Sequence, residues 1–270
     1  MEREVLKQKL TELAKSEKAE NIDELLCPML THIGDPDPLL RDRLIYGLAS
    51  NWITDGLVSP VKMIRILEEL LTARFLLKGE KYTRSFATLW IAAILYRHRR
   101  EAFLSADLIN RVHQVFLAYI NQETVGEGYD ETYGWLHTLA HAADAIDEMI
   151  QLRELSNEQH RQLVEEVINK MAFPFHVLSH EEDERMAIAI HSALRNGLSP
   201  DTVGLMIKEK TAEVIALWLE VTESNLHIRG NFKQFIRSLY FCLSDYPSLK
   251  KTLYECEQLF SGIYHKKPSS

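Results

Sequence analysis

Glycine and proline are scarce, at eleven and eight of 270 residues. Together they make about 7% of the chain, where average proteins carry about 12%. Sandwiches, barrels and doubly wound sheets need many turns, so the shortage argues against them. Cysteine is scarcer still. Cys27, Cys242 and Cys256 cannot all pair, and no CxxC spacing occurs. This is cytosolic usage. Long apolar runs are missing: Leu89 to Tyr96 is far below the ~20 residues of a membrane span. The charged N-terminus MEREVLKQKLTELAKSEKAE lacks the apolar core of a signal peptide. A cytoplasmic protein with no membrane contact is the expectation. A basic surplus is absent as well. Thirty-nine acids face 31 bases, giving a net charge of −8 and a pI near 5.8. A duplex-binding protein carries the opposite balance, so nucleic acid is disfavoured as a partner. The one basic cluster, Arg97-His98-Arg99-Arg100, runs straight into Glu101.

What is present has helical period almost throughout. Asp37-Pro38, Ser59-Pro60 and Ser199-Pro200 each pair an N-cap residue with proline at a first turn. Ser156 and Gln159 have capping-box spacing. Asn196-Gly197 is a helix stop. Five helices read as variants of one unit, beginning near Arg41, Arg84, Gly134, Arg185 and Gly230. A second helix fills each gap. Repeats of ~40–47 residues built from helix pairs predict an all-α fold, a right-handed α-α superhelix of HEAT- or armadillo-like kind. About five pairs form one domain over residues 1–266, followed by a flexible tail at 267–270. The longest loop candidate runs from Asn121 to Tyr133 and carries four acids and two tyrosines.

Three elements occur in order: Asp37-Pro38-x-x-Arg41-Asp42, Arg84-Ser85-Phe86, and Gly134-Trp135-x-His137-x-x-x-His141-x-x-Asp144. In these the chain resembles an uncharacterised bacterial family, domain of unknown function 2785, from about His32 to Phe241. The resemblance implies an all-α protein and lends no activity.

On one helix, His137, His141, Asp144 and Glu148 fall within a stripe of roughly 60° at ~100° per residue. Leu139, Ala143, Ile146 and Ile150 point away. Two imidazoles at i and i+4 with a carboxylate one turn on can hold a divalent ion such as Zn, Mn or Fe. The same stripe also suits a polar inner face or a solvated one. The zincin pattern HExxH is absent. Arg41, Arg84 and Arg185 take similar early positions in their helices. They either converge on an anion or pair with local acids. Trp52, Trp90 and Trp218 read as core, whereas Trp135 and Tyr133 could stack on a ligand ring. His176 and His180 have ligand spacing, but Pro174 precedes them and the four acids after them read as the first turn of a helix, which argues against a metal there.

Two functions follow. The first is a binding scaffold whose concave face holds a peptide or small anionic ligand, on Arg41, Arg84, Tyr133, Trp135, His137, His141, Asp144 and Arg185. It needs no cofactor. The second is a divalent-metal-dependent hydrolase centred on His137, His141 and Asp144, with Glu148 as a further ligand.

Overall fold

Local start signals set several helix boundaries. Ser156 and Gln159 cap each other reciprocally at the head of α8 (Asn157–Lys170). Ser59 accepts the Lys62 amide with Pro60 at the first position of α4 (Pro60–Leu70). Ser105 and Thr222 cap α6 (Ala106–Gln122) and α11 (Glu223–Cys242) in the same way. Gly197, at φ +97°, ends α9 (Glu182–Arg195) where only glycine is unstrained. The computed structural model describes residues 1–15 and 22–261. The tail expected at 267–270 lies outside them.

The remaining helices are α1 (Arg3–Leu13), α2 (Ile22–Thr31), α3 (Gly47–Thr54), α5 (Lys81–Arg100), α7 (Thr138–Ile150), α10 (Pro200–Ala216) and α12 (Pro247–Ser261). A π-helical segment, Leu39–Tyr46, runs directly into α3. Asp37 opens it by accepting the Leu39 amide at 2.9 Å. Among the described residues the β-structure is one two-residue pair, β1 (Tyr129–Asp130) and β2 (Gly134–Trp135), antiparallel.

The helices pack in two rows. In one row α3, α5, α7, α9 and α11 touch in chain order. In the other α6, α8, α10 and α12 do the same. From Ser85 to Leu95 every residue of α5 is buried. A helix apolar on all sides belongs at the centre of a core, and α5 lies between α3 and α7. Each Leu, Ile or Phe buried there contributes about 1.5–3 kcal/mol. Leu139, Ala143, Ile146 and Ile150 of α7 are buried as their spacing predicts. Trp52 and Trp90 are core; Trp218 instead lies exposed beneath the Arg229 guanidinium, 4.4 Å from its ring. Two of the expected helix starts also differ. Gly134 belongs to a strand, and Gly230 falls inside α11. No helix among the described residues is long and apolar enough to cross a membrane.

Candidate functional site

The segment before α7 is built around left-handed backbone. Gly134 has φ +74°. A Cβ there would stand 3.0 Å from Pro38 Cβ and 3.5 Å from the Arg41 guanidinium. Gly134→Ala is therefore expected to lose about 1–3 kcal/mol, read as a lower urea midpoint; an unchanged midpoint would contradict this packing. His137 also has positive φ, +49°, without being glycine. The Leu136 and His137 amides both donate to the Gly128 carbonyl, at 2.9 and 3.2 Å. His137 is thus the residue before α7, not part of its first turn.

A second left-handed residue, Glu181 at φ +67°, stands in the same position before α9. These are the two non-glycine residues with positive φ among those described. Such strain persists where the surroundings over-determine it, and it clusters at functional sites. Both residues line one cavity of about 480 Å³. Its apolar wall is Tyr46, Phe86, Leu89 and Trp135. Its polar wall is Asp42, His137, His141, Ser179, His180, Glu181 and Arg185.

Each side chain is held from behind. His137 stacks on the exposed Trp135 ring, with centroids 4.5 Å apart and planes within 6°. Its Nδ1 lies 3.7 Å from Glu182 Oε1. The other Glu182 oxygen accepts the His180 amide at 2.8 Å. Burial works to raise the Glu182 carboxyl, but His137 and nearby amides together hold it below the ordinary range. His141 Nδ1 meets Ser85 Oγ at 2.7 Å. Burial pushes this imidazole well below its ordinary pKa, and His137, Arg185 and Arg41 add to the effect. Arg185 Nη1 donates to Asp144 at 2.7 Å. Burial raises the Asp144 carboxyl to about 6, against the pull of Arg185. Burial likewise raises the Tyr46 phenol.

The expected four-ligand stripe comes apart. His137 stands outside the helix, so a helical projection misplaces it. Glu148 is taken by Arg99, at 2.9 and 3.1 Å. Asp144 is taken by Arg185. His137 and His141 do adjoin, with ring centroids 5.5 Å apart. Among the described residues no group of three or more His, Cys, Asp or Glu side chains is placed to hold a metal ion.

The three arginines also separate. Arg185 lines the cavity. Arg41 is fully buried and spent on the fold. It donates to Asp42, to the Asp35 carbonyl and to the carbonyls of Tyr133 and Trp135, at 2.7, 3.0, 2.6 and 3.2 Å. It also lies 4.2 Å from the Tyr82 ring centroid. This clamp ties the hairpin to the π-helical segment. Arg84 is away from the cavity, in a two-pronged pair with Glu123 at 2.8 and 2.7 Å. Tyr133 gives Arg41 its carbonyl, while its ring is exposed.

Asp42, Tyr46, Phe86, Leu89, Ser179 and Glu181 are cavity residues that the sequence did not mark as ligands, and His180, marked by its spacing from His176, joins them. The acid run 181–184 held a signal. Its Glu182 and Asp183 are buried, unlike acids that merely complement a helix dipole at the surface.

These features define an all-helical protein whose mixed polar and apolar cavity opens at the heads of two helices. A family model described as "Protein of unknown function (DUF2785)" matches residues 78–241. The chain belongs to that family, and the match runs from before α5 into the last turn of α11. It begins after the Asp37–Asp42 element. No curated protein and no solved structure matches the chain.

Proposed function

We propose that the two rows form a right-handed α-α solenoid of HEAT- or armadillo-like kind, and that its cavity binds a small anionic molecule. The carrying observation is Arg185. One of its nitrogens holds Asp144, and the rest of its fork makes no hydrogen bond among the described residues. A guanidinium fork takes a carboxylate or phosphate in two-pronged fashion. The volume of about 480 Å³ is that of a small-molecule site. Phe86, Leu89 and Trp135 supply a surface for an apolar body or ring.

The test is ligand-linked stability. 3-Phenylpropionate offers one acid and one ring. At a hundred times its Kd it is expected to stabilise the protein by about 2.7 kcal/mol, read by thermal melting. Arg185→Gln, whose own melting temperature is the baseline for that variant, should lose the ligand-induced shift. A melting temperature that does not respond in the parent protein defeats this reading.

A further inference from the structure

The tautomer of His141 decides which partner its free nitrogen takes, and the inference from it rests on the anion reading above. A hydroxyl has one proton. Ser85 is fully buried on α5, and its Oγ sits in a short contact with the Leu136 carbonyl. A carbonyl can only accept, so the Ser85 proton lies in that contact. The same Oγ is 2.7 Å from His141 Nδ1. With its proton committed, Ser85 can only accept there, so Nδ1 carries the imidazole hydrogen. His141 is buried, with its ring against Phe86 and centroids 5.4 Å apart. Arg185 and Arg41 act on it as cations. A second ring proton is disfavoured by this setting. Nε2 is then a bare acceptor, and His141 lines the same cavity as Arg185. Fixing one ring nitrogen by the bond that the other makes is the ordinary way a histidine tautomer is set.

We infer that the cavity selects a small hydroxy acid, its carboxylate on Arg185 and its hydroxyl donating to His141 Nε2. An acid without the hydroxyl leaves Nε2 desolvated and unpaired. Sites that hydrogen-bond a substrate hydroxyl reject the analogue lacking it far more strongly than apolar pockets reject a missing methylene.

Two measurements on the unaltered protein test this, with one variant beside them. The first is the ¹⁵N shifts of the His141 ring in the free protein. A pyridine-type Nε2 is expected, and an Nε2–H ring overturns the inference. The second is calorimetric affinity for 3-phenyllactate against 3-phenylpropionate, which differ by one hydroxyl. Phenyllactate is expected to bind about tenfold tighter or more, with the ratio collapsing in His141→Phe. Equal affinities in the parent protein overturn the hydroxy-acid inference and leave the anion reading standing. Binding of neither acid overturns both.

Discussion

Arg84→Ala is expected to cost about 3–5 kcal/mol, because it leaves a buried carboxylate without its cation. Glu123 has no side-chain exposure, and Arg84 has 18%. Their two bonds, at 2.8 and 2.7 Å, join the first turn of α5 to the end of α6. Arg84 also donates to the Gly79 carbonyl at 2.8 Å. Glu123 Oε1 accepts the amides of Thr124 and Val125, each at 3.0 Å. The loss therefore reaches into the segment leading to the hairpin and the cavity. For a chain of this size it amounts to a fall in Tm on the order of 10 °C. Urea denaturation of Arg84→Ala, Glu123→Gln and the double variant measures it. The double variant should lose less than the two singles added, since removing both partners strands no charge. Full additivity, or a loss below about 1 kcal/mol as for a surface pair, would show that the bridge is not what anchors this segment. A ligand-contact role predicts the opposite pattern, with affinity lost and stability kept.

Acid is expected to destabilise the protein already above the ordinary carboxylate range. His98, His113 and His160 are all buried, and burial lowers the pKa of each. His98 Nδ1 accepts the amides of Phe103 and Leu104 at 2.9 and 3.0 Å, so its protonation breaks two backbone bonds. Its other nitrogen lies 3.5 Å from Glu154, which pulls the other way without winning. His113 of α6 also lowers His160 of α8, and no carboxylate acts on either. Three of their ring nitrogens are buried without a partner.

The sign follows from linkage. A histidine lowered in the fold stays neutral there while the unfolded chain takes up a proton near pH 6.5. Stability is thus fully present above about 6.5 and declines as pH falls towards the folded values. Each proton gained on unfolding steepens the decline by about 1.4 kcal/mol per pH unit. Asp144, raised to about 6, works in the opposite direction between that value and the ordinary carboxylate range, and so reduces the slope. Urea midpoints at pH 7.5, 6.0 and 5.0 should fall in that order. Replacing His113 and His160 together by leucine should make the trend shallower, with His98 and His141, also lowered by burial, carrying what is left. A pH slope left unchanged by that double replacement would mean that these two imidazoles titrate normally in the fold.

The cap at Ser156, the stop at Gly197 and the buried stripe Leu139–Ala143–Ile146–Ile150 were readable without coordinates. Each depends on residues within a turn or so of one another. The His137-to-Glu148 stripe was not readable, although it was drawn with the same helical arithmetic. That arithmetic assumes His137 is helical, and its left-handed φ comes from both amides at 136–137 bonding to the Gly128 carbonyl. Gly134 was a visible warning that the chain bends before α7.

Sequence alone therefore determined that this chain is helical, roughly where its helices start and stop, and which faces they bury, because those are short-range matters of capping and period. Tertiary structure decided which charges meet. Arg84 finds Glu123 across 39 residues, and Arg41 finds the Tyr133 carbonyl across 92. Three arginines with similar local sequence positions take three different fates. A buried guanidinium must be satisfied by whatever acceptors packing brings to it, and only at Arg185 does packing leave part of the fork facing a cavity.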